Sequence, residues 1–215
     1  MLENLRFYSV FLTLFSAIIG VLFWHKLPGG KAKLLLFTIW FSVLMDLIGR
    51  YFNQWTGLLN YWVYNFYNFV LFSIYIIILK SLLHKILYIC VANIFLILFI
   101  VISILNCLFW QSGWDNILTY TYALGVVFIT ILSSVYLFEL FSTDLILSYS
   151  KSIFFWFVLG ILLFHIPFLP FMLSLEWFLI DSNPIIYGMI LFFLNLLMNC
   201  CFIIGFIWSE KRYNY

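Results

Sequence analysis

Residues 86–110 read ILYICVANIFLILFIVISILNCLFW, twenty-five positions without one charged side chain. About 20 consecutive apolar residues suffice for a helix to cross the hydrocarbon of a bilayer. This run exceeds that length, so it predicts a transmembrane helix rather than a core helix of a water-soluble protein. The same pattern recurs on both sides. Upstream lie Phe7–Trp24, Leu34–Phe52 and Leu58–Leu79; downstream lie Ile117–Phe138, Ser152–Leu175 and Ile185–Trp208. Short polar breaks separate them: HKLPGGKAK at 25–33, KSLLHK at 80–85, QSGWDN at 111–116, and the segments Glu139–Lys151 and Glu176–Pro184. The last ends in Ser-Asn-Pro, a helix-start signal.

The expectation is an all-α, polytopic transmembrane bundle of seven helices forming one domain over residues 1–215. Composition agrees. The chain is 67% hydrophobic and 8% charged, whereas a soluble domain carries about 25% charged residues. No polar stretch is long enough for a separate soluble domain, so function is expected in the bilayer, at short loops or through a partner. The second span looks weak. Without Asp46 and Arg50 it has only about 15 residues, short for a crossing.

Lys and Arg accumulate on the cytoplasmic side of membrane proteins. With the N-terminus outside, the inner segments hold Lys26, Lys31, Lys33, Lys80, Lys85, Lys151, Lys211 and Arg212, and the outer ones only Arg6 and Arg50. That places the C-terminus in the cytoplasm and fits an odd number of spans. Reading the first span as a cleaved signal peptide would send the Lys26–Lys33 cluster outside, and no small-residue cleavage site follows it. Trp55, Trp62, Trp110, Trp114 and Trp177 fall toward the outer interface, Trp24 and Trp208 toward the inner one. In the first span Ser9, Thr13, Ser16 and Gly20 form a small-residue stripe, the usual means of close helix approach in lipid.

Polar groups inside the spans are few, and each is costly there. Asp46 and Arg50 stand four apart on one face, where they can neutralise each other or form a charged mouth for a ligand or ion. Tyr61, Asn65, Asn68, Phe72 and Tyr75 share a face of the third helix; Gly188, Phe192, Asn195 and Asn199 share one on the seventh. Such asparagines serve either as interhelical hydrogen-bond partners or as ligand contacts. His165 precedes Pro167 and Pro170, which remove hydrogen-bond donors and predict a bend; irregular backbone at that depth is tolerated beside an enclosed cavity. Glu139 reads as interfacial and solvated. Cys90, Cys107, Cys200 and Cys201 read as buried structural thiols, since their spacing suits neither a metal nor a disulfide framework. Depth along the helices allows Asp46, Arg50, Tyr61, Asn65, Asn68, His165, Asn195 and Asn199 to line one outward-facing polar cavity. No catalytic set, metal or cofactor is predicted.

The span lengths, the Asn- and Tyr-rich third helix, the FWFVLGILLF run at 155–164 and the Asn195…Asn199 ending resemble small, uncharacterised seven-helix inner-membrane proteins of bacteria, some encoded near sensor kinases. The resemblance covers most of the chain and implies a sensory or accessory role in the inner membrane. Other seven-helix families fit less well. A retinal-binding rhodopsin needs a lysine in the seventh span, and Ile185–Trp208 has none. Ceramidase-type zinc hydrolases need several intramembrane histidines, and only His165 qualifies. Lysoplasmalogenase-type hydrolases need more than one intramembrane acid. A three-plus-three sugar transporter shares the topology, but the Pro-Gln dipeptide of one such family is absent. The leading expectation is therefore a non-enzymatic ligand-binding, sensory or complex-subunit module. Its expected partners are the lipid bilayer, a small or lipid-like ligand, and a second copy or membrane partner protein, with no nucleic acid. A small transporter or channel is the alternative, and an intramembrane enzyme is disfavoured.

Overall fold

The structure, a computed structural model, describes residues 5–27, 29–142, 144–174 and 184–214. Among these the chain is all-α, with seven α-helices and no strand: α1 (Leu5–Leu22), α2 (Gly30–Thr56), α3 (Tyr61–Leu82), α4 (Ile86–Leu105), α5 (Thr119–Phe141), α6 (Ile153–Leu173) and α7 (Pro184–Trp208). Many of their residues are β-branched or aromatic and are indifferent helix formers in water. Inside a bilayer no water competes for the backbone, and a helix satisfies every N–H and C=O within the segment. Six of the helices, α2 to α7, are long and apolar enough to cross a membrane. This is an integral, multi-pass membrane protein in contact with lipid. At 18 residues, α1 is about 27 Å long, close to the hydrocarbon thickness.

The second helix corrects the expectation of weakness. It is 27 residues long, the longest of the seven, and carries Lys31 and Lys33 near its start and Asp46 and Arg50 within. Apolar runs report the hydrocarbon, whereas a helix continues through the headgroup layer until the backbone stops it. Here the stop is Gly57, at φ 71°, whose N–H donates to Asn53 O at 2.8 Å. Glycine enters this left-handed region without steric penalty and closes helices for that reason.

Two compact units partition the chain: a terminal unit of residues 1–40 and 140–215, and a central unit of residues 41–139. Within the terminal unit α7 packs against both α1 and α6. The α1 stripe is buried, with Thr13 at 4% and Ser16 at 0% exposure, and contacts step forward together along both helices. Ser16 meets Asn199, and Gly20 meets Phe206. Hence α1 runs parallel to α7 and shares its depth. Contacts with α6 step in opposite senses: Gly160 meets Met198, Cys201 and Phe202, while Gly205 meets Trp156 and Ile153. Those two helices are antiparallel.

After α7 the chain folds back as a clasp. Asn214 is fully buried; its side-chain oxygen accepts the Ile153 N–H at 2.9 Å, and its amide donates to Lys26 O at 3.0 Å and Ser209 Oγ at 3.2 Å. One asparagine thus caps the start of α6, whose first N–H groups have no intrahelical partner, and ties down the α1–α2 connection. Glu210 pairs with Lys151 and Arg212, each at 2.7 Å. Its carboxyl is held below the usual carboxylate range, chiefly by the Lys151 hydrogen bond. That contribution is present above the unfolded-state value and is lost as pH falls through the folded one.

In the central unit the neighbouring helices alternate in direction. Tyr67 donates to Ser42 at 3.0 Å and Asn60 to Gly49 O at 2.8 Å, fixing α2 antiparallel to α3. Lys80 donates to Asn93 at 2.9 Å, and Phe72 contacts Phe99, fixing α3 against α4. The rings of Phe95 and Phe128 stack at 4.3 Å between α4 and α5. Phe72, fully buried, lies over Gly125 and edge-on to Tyr122 at 5.2 Å.

Glu139 corrects another expectation. It is not solvated but 8% exposed, and its two oxygens accept the His84 and Lys85 N–H groups at 3.0 and 3.1 Å. These donors open α4, where a carboxylate also meets the positive end of the helix dipole. The cysteines differ as well: Cys201 is buried, whereas Cys90, Cys107 and Cys200 are exposed on the helix surfaces.

Candidate functional site

The eight polar candidates divide between the two units. Asp46, Arg50, Tyr61, Asn65 and Asn68 belong to the central unit, and His165, Asn195 and Asn199 to the terminal one.

In the central unit Asn65 has a defined structural task. Both its amide N–H groups donate, to Gly113 O at 2.9 Å and Asn116 O at 2.8 Å, and its oxygen accepts the Leu118 N–H at 2.9 Å. One side chain on α3 therefore orders the α4–α5 connection. The rest of that connection is held by a second amide set. A π-helical turn, Asn106–Trp110, ends α4. The buried Asn106 amide donates to Gln111 and Thr121, at 3.0 and 3.1 Å, and Gln111 donates to Thr119 at 3.0 Å. Trp114 of this loop stacks on Trp62 at 5.7 Å. Trp55, Trp62, Trp110 and Trp114 are all exposed at this end of the unit, as an interfacial belt requires; Trp177 lies outside the described residues.

Deeper along α2 and α3 runs a polar seam. Ser42 accepts the Tyr67 hydroxyl at 3.0 Å, and the half-buried Asp46 stands one turn further along α2. The missing side chain at Gly49 makes room for Tyr64, whose hydroxyl stands 2.9 Å from where a Cβ would be. Asn68, half-buried, sits one residue beyond Tyr67, and the exposed Arg50 one turn beyond Asp46. Tyr61, half-buried, opens α3. Of the sequence candidates, then, Asp46 stands one turn from Ser42 on the seam and Asn65 serves the loop. Tyr64 and Tyr67 were not singled out as site residues. They are ring-bearing residues in an apolar run, and only the antiparallel register of α2 and α3 sets Tyr64 against Gly49 and Tyr67 against Ser42.

In the terminal unit Asn199, 1% exposed, accepts the Ser16 hydroxyl at 2.7 Å and donates to Asn195 O at 2.9 Å. Asn195 donates to Leu191 O at 3.0 Å. Both amides thus also bond their own helix one turn back, and Asn199 joins α7 to α1. His165 is 3% exposed, with its ring edge-on to Phe164 at 4.9 Å. α6 stays helical through Pro167 and Pro170 to Leu173. From the α6–α7 register His165 is level with Asn195, about 7–8 Å along from Gly160, but turned about 140° around α6 from it. The two residues share a depth without sharing the Gly160 face.

Among the described residues no three His, Cys, Asp or Glu side chains are grouped as metal ligands. Compared with protein-family models, with curated proteins and with solved structures, the chain matches none.

Proposed function

We propose that this membrane protein is a non-enzymatic sensory or complex-subunit module that holds a small polar or lipid-like ligand at the α2–α3 seam. The observation that carries the reading is Asp46, an ionisable group within a membrane-spanning helix, set between Ser42, which accepts the Tyr67 hydroxyl, and Gly49, against which Tyr64 packs. An intramembrane carboxylate is costly and marks function by default. Three neighbouring hydroxyls give a ligand donors and acceptors that lipid tails lack. The other buried amides support a non-catalytic role, because Asn65 and Asn199 are engaged in holding loop and helices. His165 is the terminal unit's candidate contact.

A density map of the purified protein tests this. Ordered non-protein density touching Asp46 or Tyr67 is expected, and it should vanish in Asp46→Asn while the fold persists. A seam filled only by side chains, with a flat apolar face joined to another chain, would favour the subunit role without a ligand. A continuous wet path to both ends would favour transport.

The proposed orientation puts the N-terminus outside and the C-terminus in the cytoplasm, in a bacterial inner membrane. It is supported unit by unit. The terminal unit gathers Lys26, Lys151, Lys211 and Arg212 at one end through the Asn214 clasp and the Glu210 pairs. The central unit has Lys80 and Lys85 at one end and Arg50 at the other. In a chain lacking its native cysteines, Asp115→Cys should react with an impermeant thiol reagent on intact cells, and His84→Cys should not. The reverse pattern would invert the topology.

A further inference from the structure

We propose that the lysine-rich end of the terminal unit is a docking surface for anionic phospholipid headgroups, assembled by the C-terminal clasp. The cations come from separate stretches of sequence: Lys26, Lys31 and Lys33 from the α1–α2 region, Lys151 before α6, and Lys211 and Arg212 after α7. The Asn214 bonds to Lys26 O and Ile153 N bring these stretches together, and the Glu210 N–H donates to Lys151 O at 2.9 Å. Lys151 and Arg212 are matched to Glu210, the carboxylate that pairs at this end. Lys26 donates to Ile207 O and lies 4.7 Å over the Phe23 ring, neither of which is an acidic partner. Among the described side chains Lys31, Lys33 and Lys211 have no carboxylate partner, and Lys33 and Lys211 are exposed.

The surroundings set the height of this patch in the membrane. Trp24 and Trp208, 49% and 65% exposed, bracket it, and Lys33 sits 5.3 Å over the Trp24 ring. Tryptophan settles at the headgroup level. An excess of fixed positive charge there, beside apolar helix surface, fits a lipid carrying a net negative phosphate. It fits a zwitterionic headgroup less well, because that brings its own cation. Each lysine near an anionic surface contributes about 1 kcal/mol, roughly a fivefold change in association. The docking surface does not depend on which side of the membrane this end faces.

The test uses the purified full chain in mixed micelles holding equal amounts of phosphatidylglycerol and phosphatidylcholine, with bound lipid counted by native mass spectrometry. The wild type should retain phosphatidylglycerol preferentially. Combining Lys31→Gln, Lys33→Gln and Lys211→Gln should lower that preference by about tenfold or more. Lys211→Gln alone should lower it as much as Lys31→Gln alone, because the clasp makes the tail part of the surface. Lys80→Gln with Lys85→Gln, removing charge from the central unit, should change it less than twofold. A triple variant that keeps its preference within twofold overturns the proposal, as does a central-unit control that loses as much as the triple. An unchanged preference in Lys211→Gln overturns the role of the clasp.

Discussion

Asn65→Ala is expected to destabilise the protein by about 3 kcal/mol and to release the α4–α5 connection. The substitution removes three hydrogen bonds, each with a net contribution of about 1 kcal/mol. It also strands Gly113 O and Leu118 N, both on buried residues, at a further cost of about 1–3 kcal/mol for each group left unsatisfied. Water reaching the loosened loop recovers part of that cost, which keeps the expected total near the lower bound. Thermal melting in detergent gives the global effect. Hydrogen exchange at residues 113–118 gives the local one and should rise more than exchange in α6 or α7. Asn65→Asp is the sharper variant. It is nearly isosteric and still accepts the Leu118 N–H, but it turns a carboxylate oxygen toward two carbonyls. It should be at least as damaging as alanine. If both variants melt like the wild type, Asn65 does not hold the loop.

The second large effect is expected at Gly160. A Cβ there would stand 2.9 Å from Phe202 Cε1 and 3.2 Å from both Cys201 Cβ and Met198 O. The last of these is backbone, so relief requires α6 and α7 to separate. Overpacking of this kind costs about 1–3 kcal/mol, and alanine recovers up to about 1 kcal/mol in helix propensity. Gly160→Ala should therefore be destabilising by about 1–2 kcal/mol, and Gly160→Leu should disrupt the pairing outright. Gly49→Ala provides the contrast. Its new methyl meets the far end of the Tyr64 ring, which can swing aside at lower cost. Melting of the three variants should rank leucine at 160 lowest, alanine at 160 next and alanine at 49 highest. If Gly49→Ala is the more damaging alanine variant, the α2–α3 seam is stiffer than the α6–α7 contact.

Hydropathy and helical periodicity are properties of a single segment, and what they determine was legible. The uncharged run at 86–110, the other apolar runs, the polar breaks and the small-residue stripe of α1 each require only one helix and its surroundings. The bilayer then enforces the rest, since a backbone in lipid has no alternative to its own hydrogen bonds. Helix ends were less legible. α2 continues beyond its apolar run in both directions, because charged side chains end a hydrocarbon crossing but do not end a helix.

Tertiary structure alone decided what the polar residues do. Asn65 on the Tyr61 face could hold a neighbouring element or contact a ligand, and only the fold shows that its first acceptor is a carbonyl 48 positions away. Glu139 looked solvated until α5 brought it to the start of α4, 55 positions back. Asn214 carried no signal in the sequence, and it caps a helix 61 positions earlier. In each case the side chain's chemistry was fixed by its identity, but its partner was set by the register and direction of helices packed side by side. A hydrogen bond needs its acceptor within about 3 Å, and an offset of one residue along a helix moves a group by about 1.5 Å and turns it by about 100°.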